Sequence, residues 1–217
     1  MLLCVVAVTK ANNGFCVAGV NHSGKLIRPI CGTGDRRFWL REQLMRNGEF
    51  IKCGDVWELK GSQSNFEFPN HTEDILASSF NYKYSLDHER FVEILDRFVE
   101  EEQAFLDTVN ANKRSLCLVS ANSLRTSKTY WQGSPKLRIS LKGNFSLDNP
   151  KTQDNMYPVK DCKLAGLMLA DFRLPQLNRI YVCIGLATPT YYDGIEYPQV
   201  IGLHTSPNVK FTDSYPD

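Results

Sequence analysis

The chain lacks the signatures that most readily announce an enzyme. Its 217 residues contain no phosphate-binding G-x-x-x-x-G-K-[ST] loop, no G-x-S-x-G elbow, no ligase-type K-x-D-G and no carboxylate cluster of two-metal type. The four histidines, His22, His71, His88 and His204, form neither an i, i+4 pair nor H-E-x-x-H, so the spacing asks for no metal and no cofactor. Seven cysteines, Cys4, Cys16, Cys31, Cys53, Cys117, Cys162 and Cys183, stand singly, with no C-x-x-C. Their odd number and wide spacing argue against a disulfide framework or a zinc ribbon, and predict buried, inert thiols. No run approaches the roughly 20 apolar residues needed to span a bilayer, so no membrane association is expected. The opening MLLCVVAVTK has too short an apolar run and no basic flank for a signal peptide, and reads as a first buried strand. The expected compartment is the cytoplasm.

Net charge is also nearly absent. The formal value is +1, yet this total hides two opposed blocks. From Lys113 to Leu147 stand Lys113, Arg114, Arg125, Lys128, Lys136, Arg138 and Lys142, without one Asp or Glu. Tyr130, Trp131 and Phe145 are interleaved with them. Just upstream, Asp87 to Asp107 holds eight acids (Asp87, Glu89, Glu93, Asp96, Glu100, Glu101, Glu102, Asp107) against Arg90 and Arg97. Cations alternating with aromatic faces suit nucleic acid or a nucleotide, with its charged backbone and flat bases. A solvated basic face is the plainer alternative.

A hydrophobic content of 42% suffices for a packed core, and 11% aromatic argues against disorder. Residues 2–8, 14–20 and 25–30 read as three consecutive strands, with turns at Asn12-Asn13-Gly14 and Asn21-His22-Ser23-Gly24. Residues 35–45 read as a short helix, with Asp35 as N-cap and Gly48 at the C-cap. Residues 56–59 resume strand character, and 61–84 read as irregular. The clearest helix is 87–109, where Phe91, Ile94, Leu95, Phe98, Phe105 and Val109 trace one apolar face. Strands return at 116–119, 137–141, 180–186 and 200–204, and a short helix is expected within 161–172. The predicted fold is mainly β with helices (α+β). Two small β-barrels, at 1–84 and 113–217, are linked or flanked by a long amphipathic helix at 85–112.

Two short segments carry possible chemistry. The hairpin Cys16-Val17-Ala18-Gly19 leads to Leu26-Ile27-Arg28-Pro29, which leaves Arg28 at a strand end. There it can grip a phosphate or carboxylate, or pair with a carboxylate of its own chain such as Asp55 or Glu73. Farther on, His71-Thr72-Glu73-Asp74 reads either as an acid/base constellation or as a capped turn. The possible polar site is thus His71, Glu73 and Asp74.

These pieces, with Asp55-Val56 and the closing strands at 181–186 and 200–203, resemble in order the dual OB-containing domain family of prokaryotes. The resemblance covers most of the chain. Leu26 departs from it, standing where the family often has Trp. The T-D-P-like element is shifted or degraded, as Asp148-Asn149-Pro150 or Thr152-Gln153-Asp154. The resemblance implies two OB barrels and a nucleic-acid-binding role in prokaryotic RNA repair or defence. It assigns no catalytic residues.

OB barrels hold single strands on their second and third strands. In the second unit Arg125, Lys128, Tyr130, Trp131, Lys136, Arg138 and Lys142 are the expected contacts; Trp131 has a core position as its alternative. Alternation sets Lys136, Arg138, Ser140 and Lys142 on one side and Leu137, Ile139 and Leu141 on the other. In the first unit the basic cluster of residues 25–46 offers Arg28, Arg37, Arg41 and Trp39, with Arg37 and Arg41 sharing a helix face. The leading expectation is a non-catalytic module for single-stranded or structured nucleic acid. A small-nucleotide or modified-base pocket is the second. A docking subunit for an operon-encoded protein partner is third, and an enzyme last.

Overall fold

The computed structural model describes residues 1–11, 14–32, 37–65, 68–142, 156–164, 179–189 and 192–209. The chain divides into two compact units, Met1–Phe98 and Val99–Asp217.

The first unit opens with the three expected strands, β1 (Leu2–Ala11), β2 (Gly14–Asn21) and β3 (Leu26–Cys31). Residues 3–9 of β1 and all of β3 are buried, as their continuous apolar runs require. Two minute strands follow, β4 (Met45–Arg46) and β5 (Glu49–Phe50), and then β6 (Asp55–Gln63) and β7 (Asp74–Ser85). These close a five-stranded barrel in the order β1-β2-β3-β7-β6, with β6 returning to β1. Every neighbouring pair is antiparallel except β3 and β7. The β6–β7 ladder slips at Lys60/Gly61, and Gly61 is needed there, since a Cβ would lie 2.2 Å from the Leu76 carbonyl oxygen.

Two expectations for this unit need correction. The stretch 61–84, read as irregular, supplies the end of β6 and all but the last residue of the twelve-residue β7. Its alternation was masked because β7 is fully buried only at Asp74 and Phe80. The helix expected at 35–45 is, among the described residues, only a 3-10 turn at Arg41–Leu44. Trp39 explains why: its backbone exchanges two hydrogen bonds with Phe15 (2.8 and 2.9 Å), so the segment lies extended against β2. Gly48 caps no helix. With Asn47 it forms the positive-φ turn (47° and 84°) between β4 and β5.

The acidic segment holds two helices in place of one long helix. Helix α1 (His88–Phe98) belongs to the first unit and α2 (Glu102–Val109) to the second. The break serves Glu100, whose backbone N–H donates to the Leu118 carbonyl (2.7 Å). Its carboxylate accepts from Arg114 (2.5 Å) and from the Leu118 N–H (3.1 Å). A continuous helix would forfeit these bonds. Helix α2 buries Phe105 and Val109, each contributing about 1.5–3 kcal/mol.

The second unit continues with β8 (Leu116–Ala121), β9 (Ser123–Trp131), β10 (Ser134–Lys142), β11 (Met156–Pro158), β12 (Arg179–Leu186) and β13 (Pro198–Ser206). They form two three-stranded sheets, β11-β10-β9 and β13-β12-β8, joined by a parallel bridge between Val159 and Val200. The core takes Phe105 from α2, Leu137 and Ile139 from β10, Tyr157 from β11 and Val182 and Ile184 from β12. Strand β9 went unread because Ser, Thr and Lys dominate it. The helix expected within 161–172 begins as a 3-10 turn at 162–164, and 165–172 lie outside the described residues. So do Phe145 and both T-D-P-like candidates. No described helix is long and apolar enough to cross a membrane.

Candidate nucleic-acid interface

Cations in the two units meet opposite fates. In the first unit they are consumed internally. Arg28 at the end of β3 is 4% exposed, and its NH1 donates to Asp74 Oδ1 (2.8 Å) and to His71 Nδ1 (2.7 Å). Arg37 NH2 reaches the other Asp74 oxygen, and also His71 Nδ1 (2.7 Å). Because Nδ1 accepts from both guanidiniums, the geometry assigns the ring proton to Nε2 and a neutral imidazole. Phe68 packs on the His71 ring (5.4 Å between centroids) and under the Arg37 guanidinium (5.0 Å).

Burial disfavours the Arg28 charge, but Asp74, with smaller contributions from Cys16 and Glu73, outweighs it and raises the Arg28 pKa. The neighbouring Cys16 thiol is pushed up, first by burial, against the pull of Arg28 and Arg37, so it stays protonated. Of the carboxylates expected for Arg28, Glu73 acts on it through its charge and takes the Arg28 backbone N–H at its own carbonyl (2.9 Å), and Asp55 belongs elsewhere. Fully buried Asp55 accepts from Arg46 Nε (2.8 Å), Ser85 Oγ (2.6 Å) and the Lys52 N–H (3.0 Å). His71-Thr72-Glu73-Asp74 therefore anchors the β6–β7 loop to β3.

The other first-unit candidates are also engaged. Trp39 is 7% exposed, donates to the Pro29 carbonyl (2.7 Å) and packs on Phe80. Arg41 lies over the Phe50 ring (5.0 Å), so Arg37 and Arg41 share no helix face. The second and third barrel strands, where an OB barrel presents its ligand face, are thus covered by the chain's own loop.

In the second unit the β9–β10 hairpin turns at Gln132 and Gly133, both at positive φ (49° and 77°), as a two-residue turn requires. Its register pairs Lys136 with Thr129, Arg138 with Ser127 and Ser140 with Arg125. Directly paired residues point to one face, so Arg125, Lys136 and Arg138 stand together. Leu137 and Ile139 face the core, at 2% and 0% exposure. The alternation expected for β10 holds, although Ser140 on the cationic side is covered. Two candidates move. Lys128 pairs with Leu137 and Tyr130 with Pro135, which sets both on the opposite face. Trp131, paired with Ser134, and Lys142, paired with Ser123, occupy the two ends of the ladder.

A further cation stands just beyond β11, which runs antiparallel to β10 with Pro158 beside Arg138. Lys160, its backbone N–H held by the Val200 carbonyl (2.8 Å), lies within reach of the Lys136 charge. Its pKa is lowered by partial burial of the ammonium and then by the Lys136 charge. The basic stretch in the sequence ends near Leu147, so Lys160 was missed; only antiparallel return places it here. Among the described residues, Arg125, Lys136, Arg138 and Lys160 have no carboxylate partner.

The model of the dual OB-containing domain family matches residues 1–203. The chain belongs to that family. No curated protein matches it. An OB-domain family suggests nucleic-acid binding in general terms, and the closed first barrel has the five strands an OB fold requires.

Proposed function

We propose that this dual-OB chain is a nucleic-acid-binding module whose contact surface is the β9–β10–β11 face. One observation carries the reading: Arg125, Lys136, Arg138 and Lys160 share a face without a carboxylate partner among the described residues, whereas Arg28, Arg37, Arg46 and Arg114 are held in ion pairs. Like charges held near one another, such as Lys136 and Lys160, repel. A polyanion removes that cost. The near-neutral total charge is no objection, because eight of the 24 acids lie on 87–107 and none on the strands of this sheet.

The finer parts of the proposal rest on the family resemblance: a second OB-like barrel built from the two three-stranded sheets, a non-catalytic role, single-stranded or structured RNA or DNA as ligand, and a cytoplasmic prokaryotic repair or defence setting with an operon-encoded partner. The nucleotide-pocket alternative gains no support from the first unit, where the guanidiniums of Arg28 and Arg37 are already occupied.

The test is fluorescence anisotropy with labelled single-stranded RNA and DNA of graded length across a salt series. Four phosphate contacts predict a slope of about −3 in log K against log salt, at roughly −0.7 per phosphate. Lys136→Gln with Arg138→Gln should halve that slope. An unchanged slope would remove this face from the interface.

A further inference from the structure

We infer, on the reading just proposed, that the β9–β10 hairpin is a groove-inserting ribbon and that the ligand of the second unit is duplex DNA. Shape is the reason. Among the described residues, Leu137 is the last of β10 toward the turn to enter the core, at 2% exposure, and it pairs with Lys128. Beyond it the two strands run on, paired as Thr129–Lys136, Tyr130–Pro135 and Trp131–Ser134. Tyr130 is 73% exposed on one face, and Lys136 is exposed on the other. Gln132 and Gly133 at the turn are exposed as well, and a Cβ at Gly133 would meet nothing within 4 Å. The end of the hairpin therefore stands clear of the core on both faces.

A ridge of this kind needs a concave partner. Single strands are held in a groove of the protein, on stacking platforms, and this element is the reverse of a groove. The major groove of B-form DNA, about 12 Å wide and about 8.5 Å deep, admits a two-stranded ribbon. Residues 129–131 and 134–136, three on each strand, lie beyond the last core pair. At about 3.4 Å per residue they project about 10 Å, enough to reach the groove floor. The strands lie about 4.8 Å apart, and side chains on both faces make the ribbon about 10 Å thick, so it fits between the walls. Lys136 stands at the root of the ribbon, with Arg138 and Arg125 behind it on the same face. From there they meet the phosphates along the groove edge, which fix the ribbon in place. Duplex RNA offers no such entry, because its A-form major groove is deep and narrow.

The deciding experiment measures fluorescence anisotropy of the full chain with labelled duplex DNA, duplex RNA and single-stranded DNA of one mixed sequence. Each strand is about 20 nucleotides long, and all three are compared across one salt series. Groove insertion predicts that duplex DNA binds at least about tenfold more tightly than either of the others. Two variants locate the preference. Replacing residues 130–135 by Asn-Gly closes the Thr129–Lys136 pair with a two-residue turn and removes the ribbon end. Tyr130→Glu with Gln132→Glu keeps the ribbon, alters only exposed side chains and sets two negative charges at its tip. In both, duplex DNA should fall to within about threefold of duplex RNA, and the double substitution should melt like the parent. Single-stranded DNA bound as tightly as the duplex would overturn this inference and leave the module intact. Equal binding of the two duplexes would do the same, as would a preference for duplex DNA that survives the double substitution. No salt-dependent binding to any of the three would overturn both readings.

Discussion

Replacing Asp74 with Ala should cost the first unit about 3–5 kcal/mol, the usual penalty for removing one partner of a buried ion pair. Asp74 is 2% exposed and, with one oxygen for each, is the charged acceptor that Arg28 and Arg37 share. Without it two guanidiniums remain close together around a neutral imidazole. Water reaches Arg28 poorly, at 5% side-chain exposure, and Arg37 little better at 13%. For a unit of roughly 100 residues each kcal/mol is worth about 4–8 °C, so its melting point should fall by at least about 12 °C. In urea, with an m-value of about 2 kcal/mol/M, the midpoint should drop by about 1.5–2.5 M. Two units need not unfold together. Intrinsic fluorescence is the suitable probe, because Trp39 and Trp57 lie in the first unit and only Trp131 in the second. Adding Arg37→Met to Asp74→Ala should restore part of the loss, since it deletes one orphaned cation and keeps an apolar stem over Phe68. A midpoint shift below about 0.5 M for Asp74→Ala would refute the argument, because the cluster would then be contributing no more than an exposed pair.

Lys160→Gln should stabilise the second unit at neutral pH by about 0.5 kcal/mol or less, while weakening oligonucleotide binding. The Lys160 pKa is depressed, so the folded state binds fewer protons just below the ordinary lysine value of 10.5, and stability should rise with pH across that window. Thermal melts from neutral to alkaline pH should show that rise in the parent and lose it in the variant. Thiol labelling of the native protein at mildly alkaline pH should modify half-exposed Cys53 first. Cys4 and Cys117, both pushed up to about 12 chiefly by burial, should react only after denaturation; fast labelling of either would contradict their placement. Gly61→Ala should destabilise the barrel by more than about 2 kcal/mol, since the new methyl meets the Leu76 backbone and not a movable side chain. A neutral result in urea unfolding would mean that the β6–β7 ladder relaxes there.

What could be read from the chain depended on how fully each element is buried. The strands β1, β2, β3, β8, β12 and β13 were visible because their apolar runs are continuous. Strands β7 and β9 were not, since their Ser, Thr, Asn and Tyr positions carry little periodic signal. The residues 37–44 misled for another reason. Asp35 and Gly48 read as the caps of a helix, but pairing of Trp39 with Phe15 and burial of its ring outweigh that local signal.

The sequence by itself determined that the chain is mainly β, that its charge is segregated, that Leu137 and Ile139 point inward with Lys136 and Arg138 on the other side, and that the family is one with two OB domains. Such properties follow from local period and residue type, which act over a few positions. Tertiary structure alone decided which cations are available. Arg28 and Arg37 look as basic as Arg125 and Arg138 in the sequence. Asp74, 46 residues from Arg28, neutralises the first pair. The register of β9 divides Lys128 and Tyr130 from the cationic face, and the return of β11 adds Lys160 to it. Ion pairing and strand register both depend on contacts between residues far apart in the chain, and no local pattern encodes them.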